Sequence, residues 1–569
     1  MRYFNTEGLC IPHKHYMVDI SDTLAALCRL VEQGKYFTIN RGRQYGKTTT
    51  LHALCGYLKD AYEVLSLDFQ AIGEASFRTE GDFVQSLAQL ILDKQEFGRL
   101  EVPEEIADQF RTVSEGDVKS LRMGNVLRVF LRWCRRSEKP VVLIIDEVDS
   151  ATNNQVFLDF LAQLRFQYLE REKDSEFVTF QSVILAGVTD VRHLKSRIRS
   201  EDQKKVNSPW NIAVDFTVDM SLPEDGIYGM LLDYEADHHT GMDAAGIAKQ
   251  IRDYTGGYPY LVSKICQILD QEAELQHRET DVAGQDRMPT SDRHTEITEQ
   301  TGRTAPDQSE EMTGQAGSTI GVWTVDGVDE AVRRILSDGS IMLFESLTGK
   351  LINFPELREK LREILLLGEA TDYYPYDDNQ QQLLLYGFIR VVNNKVVVAN
   401  RIFEMLLYRM FIGENRYGEL RQMAAMDRNI FIEDGRLNVP KIMEHFIASQ
   451  KIIRGADQEK FVEDEGRERF LTYLSPIING TGTYSIEEQT RDRRRMDVVI
   501  HYLGRRYVIE LKIWHGERYN ERGERQLRDY LDYFGLDTGY MLSFNFNQTK
   551  ETGVKRLKIG NKVLYEGIA

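Results

Sequence analysis

The first 220 residues alternate short apolar runs with longer amphipathic ones. The runs at 36–39, 64–69, 141–145 and 182–187 are four to six residues long, the length of buried strands. Between them, stretches such as 86–92 and 126–134 place apolar residues three and four apart, the spacing of a helix with one buried face. Strands separated by helices predict a mostly parallel sheet covered on both sides. Residues 221–270 read as helices throughout, with helical spacing at 247–254 and 260–269. From Gln271 to Ile320 there is no Phe, Tyr or Trp, and Asp, Glu, Thr, Gln and Gly dominate. Such a stretch cannot bury enough surface to offset its ordering entropy, which predicts a flexible insertion over 272–320. Periodicity resumes at Val328, with helical patterns at 329–336 and 357–366. Two β-branched runs, 390–392 and 395–398, then flank Asn393-Asn394, the pattern of a tight hairpin. Helices followed by a hairpin predict a winged helix.

The chain is therefore expected to be a multidomain α/β protein. Its parts are a parallel-sheet core over 1–220, a helical lid over 221–271, the insertion, a winged-helix-like region with linker over 321–437, and a last domain over 438–569. A length of 569 residues agrees with several cores rather than one. No eighteen-residue apolar stretch exists and the first ten residues lack a signal layout, so neither export nor a membrane span is expected. Five scattered cysteines without a C-x-x-C predict a reducing, cytoplasmic setting and argue against structural zinc.

Net charge is −18, which excludes a uniformly nucleic-acid-binding surface. The charge is uneven, however. Residues 441–569 hold 22 Lys and Arg against 20 Asp and Glu, leaving 49 against 69 for the rest. A phosphate-binding surface is better placed in the C-terminal part.

Residues 36–58 read as strand, loop and helix, and Gly46-Lys47-Thr48 opens the helix. Backbone N–H groups at a helix N-terminus can hold phosphate oxygens. Lys47 reaches the β- and γ-phosphates, the Thr48 hydroxyl ligates magnesium, and Gly46 allows close approach. The surrounding Arg43, Gln44, Tyr45 and Thr49 complete the candidate loop. The usual G-x4-G-K-[ST] spacing would put glycine at 41, where this chain has Arg41; its glycine comes one later, at Gly42. The apolar run at 141–145 ends in Asp146-Glu147. In that position Asp146 holds the magnesium shell and Glu147 polarises the attacking water, which predicts binding and hydrolysis of a nucleoside triphosphate with Mg2+. Thr189 or Asp190, after the run at 182–187, is a candidate γ-phosphate sensor. One of Arg192, Arg197 and Arg199 is a candidate arginine finger across a subunit interface, implying a homo-oligomer.

These motifs make the front of the chain resemble the prokaryotic AAA-like ATPases related to origin-recognition and STAND ATPases. The matching residues are 14–19 (KHYMVD), 43–48 (RQYGKT), 185–188 (LAGV) and 207–209 (NSP). Gly256-Gly257-Tyr258-Pro259 resembles the lid element that brings Pro259 to the nucleotide. The resemblance covers roughly 1–412. It implies ATP rather than GTP, tolerates Arg41, and includes a winged helix after the lid.

Residues 495–512 read as a second hairpin. With the turn at Leu503-Gly504, residue 502 faces 505, 499 faces 508, and Asp497 faces Glu510, their Cβ atoms about 4.5–5.5 Å apart. Glu510 and Lys512, two apart, share one face. Two opposed carboxylates are best tolerated around a hard cation such as Mg2+ or Mn2+, and Lys512 could position a nucleophile or stabilise developing negative charge. Downstream, Gln526 and Tyr530 share a helix face. This D-x12-E-x-K, Q-x3-Y arrangement resembles the PD-(D/E)XK nuclease superfamily, with its restriction-endonuclease-like fold. That resemblance implies Asp497, Glu510 and Lys512 as the catalytic set, with Asp497 and Glu510 on the metal and Gln526 in support. Glu463, Glu465 and Glu468 are alternative further ligands. Arg491, Arg493, Arg494 and Arg495 could hold phosphates.

The sequence therefore predicts an ATP-controlled, metal-dependent nuclease with DNA favoured over RNA, in a setting such as defence or mobile elements. Two alternatives remain. One is a STAND-like ATP switch whose tail binds nucleic acid without cutting; the other is an assembly ATPase whose tail binds protein.

Overall fold

The most apolar run of the chain, Val141–Asp146, has all six residues buried, which is possible only with a neighbouring strand on either side and layers above and below. In the computed structural model it is β3 of a five-stranded sheet. The other strands are β1 (Phe37–Asn40), β2 (Glu63–Asp68), β4 (Ser182–Gly187) and β5 (Val214–Asp215), in the order β2-β3-β4-β1-β5, all parallel. The structure describes residues 2–98, 100–152, 154–188, 210, 212–216, 218–285, 322–366, 371–413, 420, 424, 428–433, 435–453, 463–478, 482–485, 498–513, 527–528, 531–532, 535–544 and 552–569.

Helices cover both faces of this sheet. On one side α1 (Ser21–Glu32) and α2 (Lys47–Leu58) pack Leu27, Val31, Leu51 and Leu54 onto Phe37, Ile39, Val142 and Ile144. On the other, α3 (Glu80–Glu96), α4 (Glu104–Ser114), α5 (Met123–Arg136) and α6 (Gln155–Lys173) cover Leu65, Leu143, Ile145 and Leu185. Alternate residues of β3 thus feed different cores. Each fully buried aliphatic side chain contributes about 1.5–3 kcal/mol, so the double cover holds the strand ends rigidly. This is a P-loop NTPase-like parallel α/β fold.

Two compact units are distinguished. One comprises Ile20–Met220, Tyr254–Gly256 and Leu336–Ala569; the other comprises Met1–Asp19, Ser221–Asp253 and Gly257–Ile335. In the latter lie α7 (Glu224–His238), most of α8 (Ala244–Thr255) and α9 (Pro259–Gln285), followed by most of α10 (Val325–Ser337). The Tyr16 hydroxyl donates to Asp237 at 2.8 Å, and Arg2 pairs with Asp233 and Asp237. Helix α9 runs to Gln285, so residues 272–285 are helical where a structureless insertion was expected. They lack aromatics but also proline, and Glu, Ala, Leu and Gln are good helix formers that extend a helix already nucleated in the core.

After Leu336 the larger unit continues with α11 (Met342–Asn353), α12 (Pro355–Leu366), β6 (Thr371–Asp372), α13 (Asp378–Tyr386), β7 (Ile389–Val392), β8 (Lys395–Val398) and α14 (Arg401–Gly413). The β7–β8 hairpin turns at Asn393 and Asn394 with φ 51° and 61°, the left-handed pair of a type I′ turn. A short ribbon follows, β9 (Ile432–Glu433) with β10 (Arg436–Leu437). Next come α15 (Val439–Ile453) and α16 (Glu463–Ile478). The last sheet has β11 (Gly482–Ser485), β12 (Val498–Tyr502), β13 (Arg505–Ile513), β14 (Thr538–Phe544), β15 (Gly553–Ile559) and β16 (Lys562–Ile568), in the order β11-β12-β13-β14-β16-β15. It is mixed: β13–β14 and β14–β16 are parallel, the other pairs antiparallel. No described helix is long and apolar enough to cross a membrane, and none of the five cysteines is in a disulfide.

Candidate functional site

The loop between β1 and α2 turns on two left-handed residues, Gln44 (φ 56°) and Gly46 (φ 80°). Arg41 and Gly42 adopt no positive φ, so nothing in the backbone at 41 requires a glycine. Gly46 is the N-cap of α2 and brings no side chain to cap it. The first-turn N–H groups of a helix have no place in its own ladder, and their partial positive charge faces the loop.

Lys47 is buried, and its ammonium donates to the carbonyls of Arg41 at 3.1 Å and Gly42 at 3.0 Å. Burial lowers its pKa, opposed by the nearby carboxylates of Glu147, Asp149 and Asp146. Thr48 donates its hydroxyl to Asp146 Oδ2 at 2.9 Å, and the Glu147 N–H donates to Asp146 Oδ1 at 2.9 Å. Burial raises the Asp146 pKa against these two hydrogen bonds, and Asp68, opposite it in the sheet register, pushes the same way. Glu147 sits half-buried at φ 53°, and burial raises its pKa too, with Lys47 opposing. A non-glycine residue held there is strained, and such strain persists only where the surroundings impose it.

The two strand ends thus bring Lys47, Thr48, Asp146 and Glu147 together. A hydroxyl and a carboxylate already 2.9 Å apart can turn the same oxygens to one hard cation, so this donor set suits Mg2+. Arg43 is exposed beside them, while Tyr45 packs on the α1–α2 core and Thr49 is half-buried. Thr189, Asp190, Arg192, Arg197 and Arg199 lie outside the described residues. Pro259 begins α9 in the other unit, after Gly256 and Gly257, both left-handed.

Sequence reasoning passed over two acidic residues here. Asp149 accepts the Val188 N–H at 2.7 Å, tying the segment after β3 to the end of β4. A Cβ on Gly187 would come within 2.8 Å of Val148, so that approach is close. Asp68 ends β2 alongside Asp146. The only signal was position: both lie at the C-terminal ends of parallel strands, where ligands of such sheets bind.

In the C-terminal sheet the β12–β13 hairpin turns at Leu503 (φ 46°) and Gly504 (φ 72°), and Val499 pairs with Val508 and Tyr502 with Arg505. Asp497 lies outside the described residues, so its partner is not described. Glu510 is buried, and Lys512 Nζ lies 3.3 Å from Glu510 Oε1 with little exposure of either side chain. Gln526, Tyr530 and Arg491, Arg493, Arg494 and Arg495 also fall outside the described residues. Leu527 and Leu531 are helical and pack against Val499, Val508 and Met541. Of the three candidate glutamates on α16, Glu468 is buried and accepts from Arg362 of α12 at 2.6 Å. The side chains of Glu463 and Glu465 are outside the described set. Among the described residues no group of three or more His, Cys, Asp or Glu could hold a metal ion.

Residues 14–281 match the AAA-like domain family, and this part of the chain is an AAA-like P-loop ATPase domain. No curated protein matches the chain. Among solved structures, the chain is similar to the Walker-type ATPase PABY2304 of Pyrococcus abyssi, with 12% identity over 71% of this chain and 99% of that one, TM-score 0.44. It is also similar to the RuvB Holliday junction branch migration motor of Thermotoga maritima, with 11% identity over 67% and 92%, TM-score 0.28. A third is the ORC1 protein of Aeropyrum pernix, solved in complex with DNA, with 12% identity over 69% and 93%, TM-score 0.28.

Proposed function

We propose that the chain binds and hydrolyses ATP and thereby controls a C-terminal nuclease of the PD-(D/E)XK type, over residues 438–569, that acts on DNA. In this reading the region 321–437 is winged-helix-like and joins the two activities. One observation carries the nuclease half: a buried Glu510 and a Lys512 with its side chain only 12% exposed lie 3.3 Å apart on a central strand that leaves a tight hairpin. Burying both charges is costly, and replacement by apolar residues of similar volume is often neutral or stabilising. A functional role explains their presence better than packing does. Glu510 would hold a divalent cation with Asp497, and Lys512 would position the nucleophile or steady developing charge. Mg2+, or Mn2+ in its place, would polarise the phosphodiester and lower the pKa of a bound water.

At the ATP site, Lys47 would exchange its two loop carbonyls for phosphate oxygens, Thr48 and Asp146 would hold Mg2+, and Glu147 would orient water. Homo-oligomerisation through an arginine finger belongs to the same proposal.

One observation favours a second reading, in which the tail binds nucleic acid or a protein without cutting: Glu468, a candidate ligand, is engaged by Arg362. The test is to incubate the full chain with DNA and with RNA, with Mg2+ or Mn2+, with and without ATP. Cleavage that Glu510→Gln abolishes and Lys47→Ala uncouples from ATP supports the nuclease. Binding without cleavage, unchanged by Glu510→Gln, sinks it and leaves the ATP switch.

A further inference from the structure

Arg41 stands where the phosphate-loop motif calls for glycine, and its side chain is extensively used. Nη1 donates to the Asn40 carbonyl at 2.8 Å, while Nη2 donates to the carbonyls of Phe216 at 3.2 Å and Val218 at 2.8 Å. Phe216 and Val218 follow β5, on the stretch that leaves this unit after Met220. Phe216 is itself fixed: it is buried, and its N–H donates to Thr38 of β1. The Arg41 N–H donates to Gly187 at 3.1 Å, so main chain and side chain together join β1, β4 and the exit from β5.

The Lys47 ammonium rests on the carbonyls of Arg41 and Gly42. A phosphate that draws Lys47 away removes the donor holding residues 41 and 42. The loop then keeps its shape through the guanidinium of Arg41, whose planar fork can serve several carbonyls at once where an ammonium is a single point.

We propose that Arg41 is a positioning residue for nucleotide binding, a strut that pins the front of the phosphate loop to Phe216 and Val218 and carries the loop's occupancy to that exit segment. The inference rests on the ATP-binding reading of the loop and adds the route by which binding is felt beyond it. It also opposes the motif. If glycine were simply better at 41, Arg41→Gly would bind ATP as well as the natural chain or better.

The experiment compares the full chain with Arg41→Gly, Arg41→Ala and Arg41→Lys. It measures the Kd for ATP with Mg2+ and the ATP-dependent change in hydrogen exchange over 214–220. Exchange in β2 and β3 reports on whether each variant is folded. The expectation is roughly tenfold weaker ATP binding in Arg41→Gly and Arg41→Ala, with loss of the ATP-dependent change at 214–220, and intermediate behaviour in Arg41→Lys. Unchanged affinity with an unchanged exchange response in Arg41→Gly overturns the strut. So does full rescue of affinity by Arg41→Lys without the exchange response, which would make Arg41 a phosphate-binding charge. Failure of the natural chain to bind ATP at all, with Lys47→Ala indistinguishable from it, would instead remove the ATP-binding reading and this inference with it.

Discussion

Both carboxylate oxygens of Asp146 are occupied, one by the Thr48 hydroxyl and one by the Glu147 N–H, yet burial still raises its pKa. The ionised carboxylate is therefore uncomfortable without a cation, which gives Asp146→Asn a split signature. Asparagine keeps an oxygen for the Glu147 N–H and can donate to Thr48, so the nucleotide-free Tm should hold or rise. The thermal shift from saturating ATP and Mg2+, about 2.7 kcal/mol at a hundredfold excess over Kd, should disappear. A variant that retains the shift would show that Asp146 does not serve the cation. The raised pKa values of Asp146 and Glu147 also fix a sign. Groups that hold protons more tightly when folded lend stability that is complete below the unfolded value, about 4, and is lost as pH rises through the folded one. Cation binding needs the ionised form, so affinity for ATP with Mg2+ should weaken as pH is lowered from neutrality toward about 5, measurable by calorimetry. A flat profile would mean the carboxylates are ionised throughout. The positions of Lys47, Thr48, Asp146 and Glu147 were legible because each is marked by residue type at a fixed spacing. The strut from Arg41 was not, because its acceptors are backbone carbonyls, which no residue type announces.

At the scale of elements, legibility followed range. The two hairpins were readable because a turn and its flanking runs lie within a dozen residues: Asn393-Asn394 and Leu503-Gly504 each supply the left-handed pair that a type I′ turn needs. The parallel neighbours β14 and β16 were not assigned, since their partners lie far along the chain and their apolar runs fit a buried helix equally well. The helical stretch 272–285 is hard to read from sequence because it opens a longer polar run that has no Phe, Tyr or Trp. Within the hairpins, Leu503 is the residue least suited to its place, branched, exposed and at φ 46°. Leu503→Asn should relieve that strain at little burial cost and stabilise by about 0.5–1 kcal/mol. The check is a denaturant or thermal midpoint for the C-terminal domain; a lower midpoint would mean that Leu503 packing outweighs its backbone strain.

For the whole molecule, a side-chain tie within the larger unit joins the residues past Leu336 to the helix that precedes the last sheet. The Arg362–Glu468 pair joins α12 to α16 with side chains only 15% and 6% exposed, which makes it a buried ion pair rather than a surface one. Breaking one partner of such a pair leaves an uncompensated buried charge and costs on the order of 3–5 kcal/mol, whereas replacing both by apolar groups costs far less. Arg362→Met should therefore destabilise strongly, Glu468→Gln less, because its amide can still accept from Arg362. Arg362→Met combined with Glu468→Leu should recover much of the loss, a coupling that a double-mutant cycle on unfolding midpoints measures directly. A metal-ligating Glu468 would behave in the opposite way: Glu468→Gln would leave stability intact and remove metal-dependent cleavage, and Arg362→Met would leave the fold undisturbed. Additive destabilisation in the cycle would likewise rule out the joint. Strong coupling would make this pair a contact through which movement of α12 reaches α16, which packs against β13, the strand that carries Glu510 and Lys512.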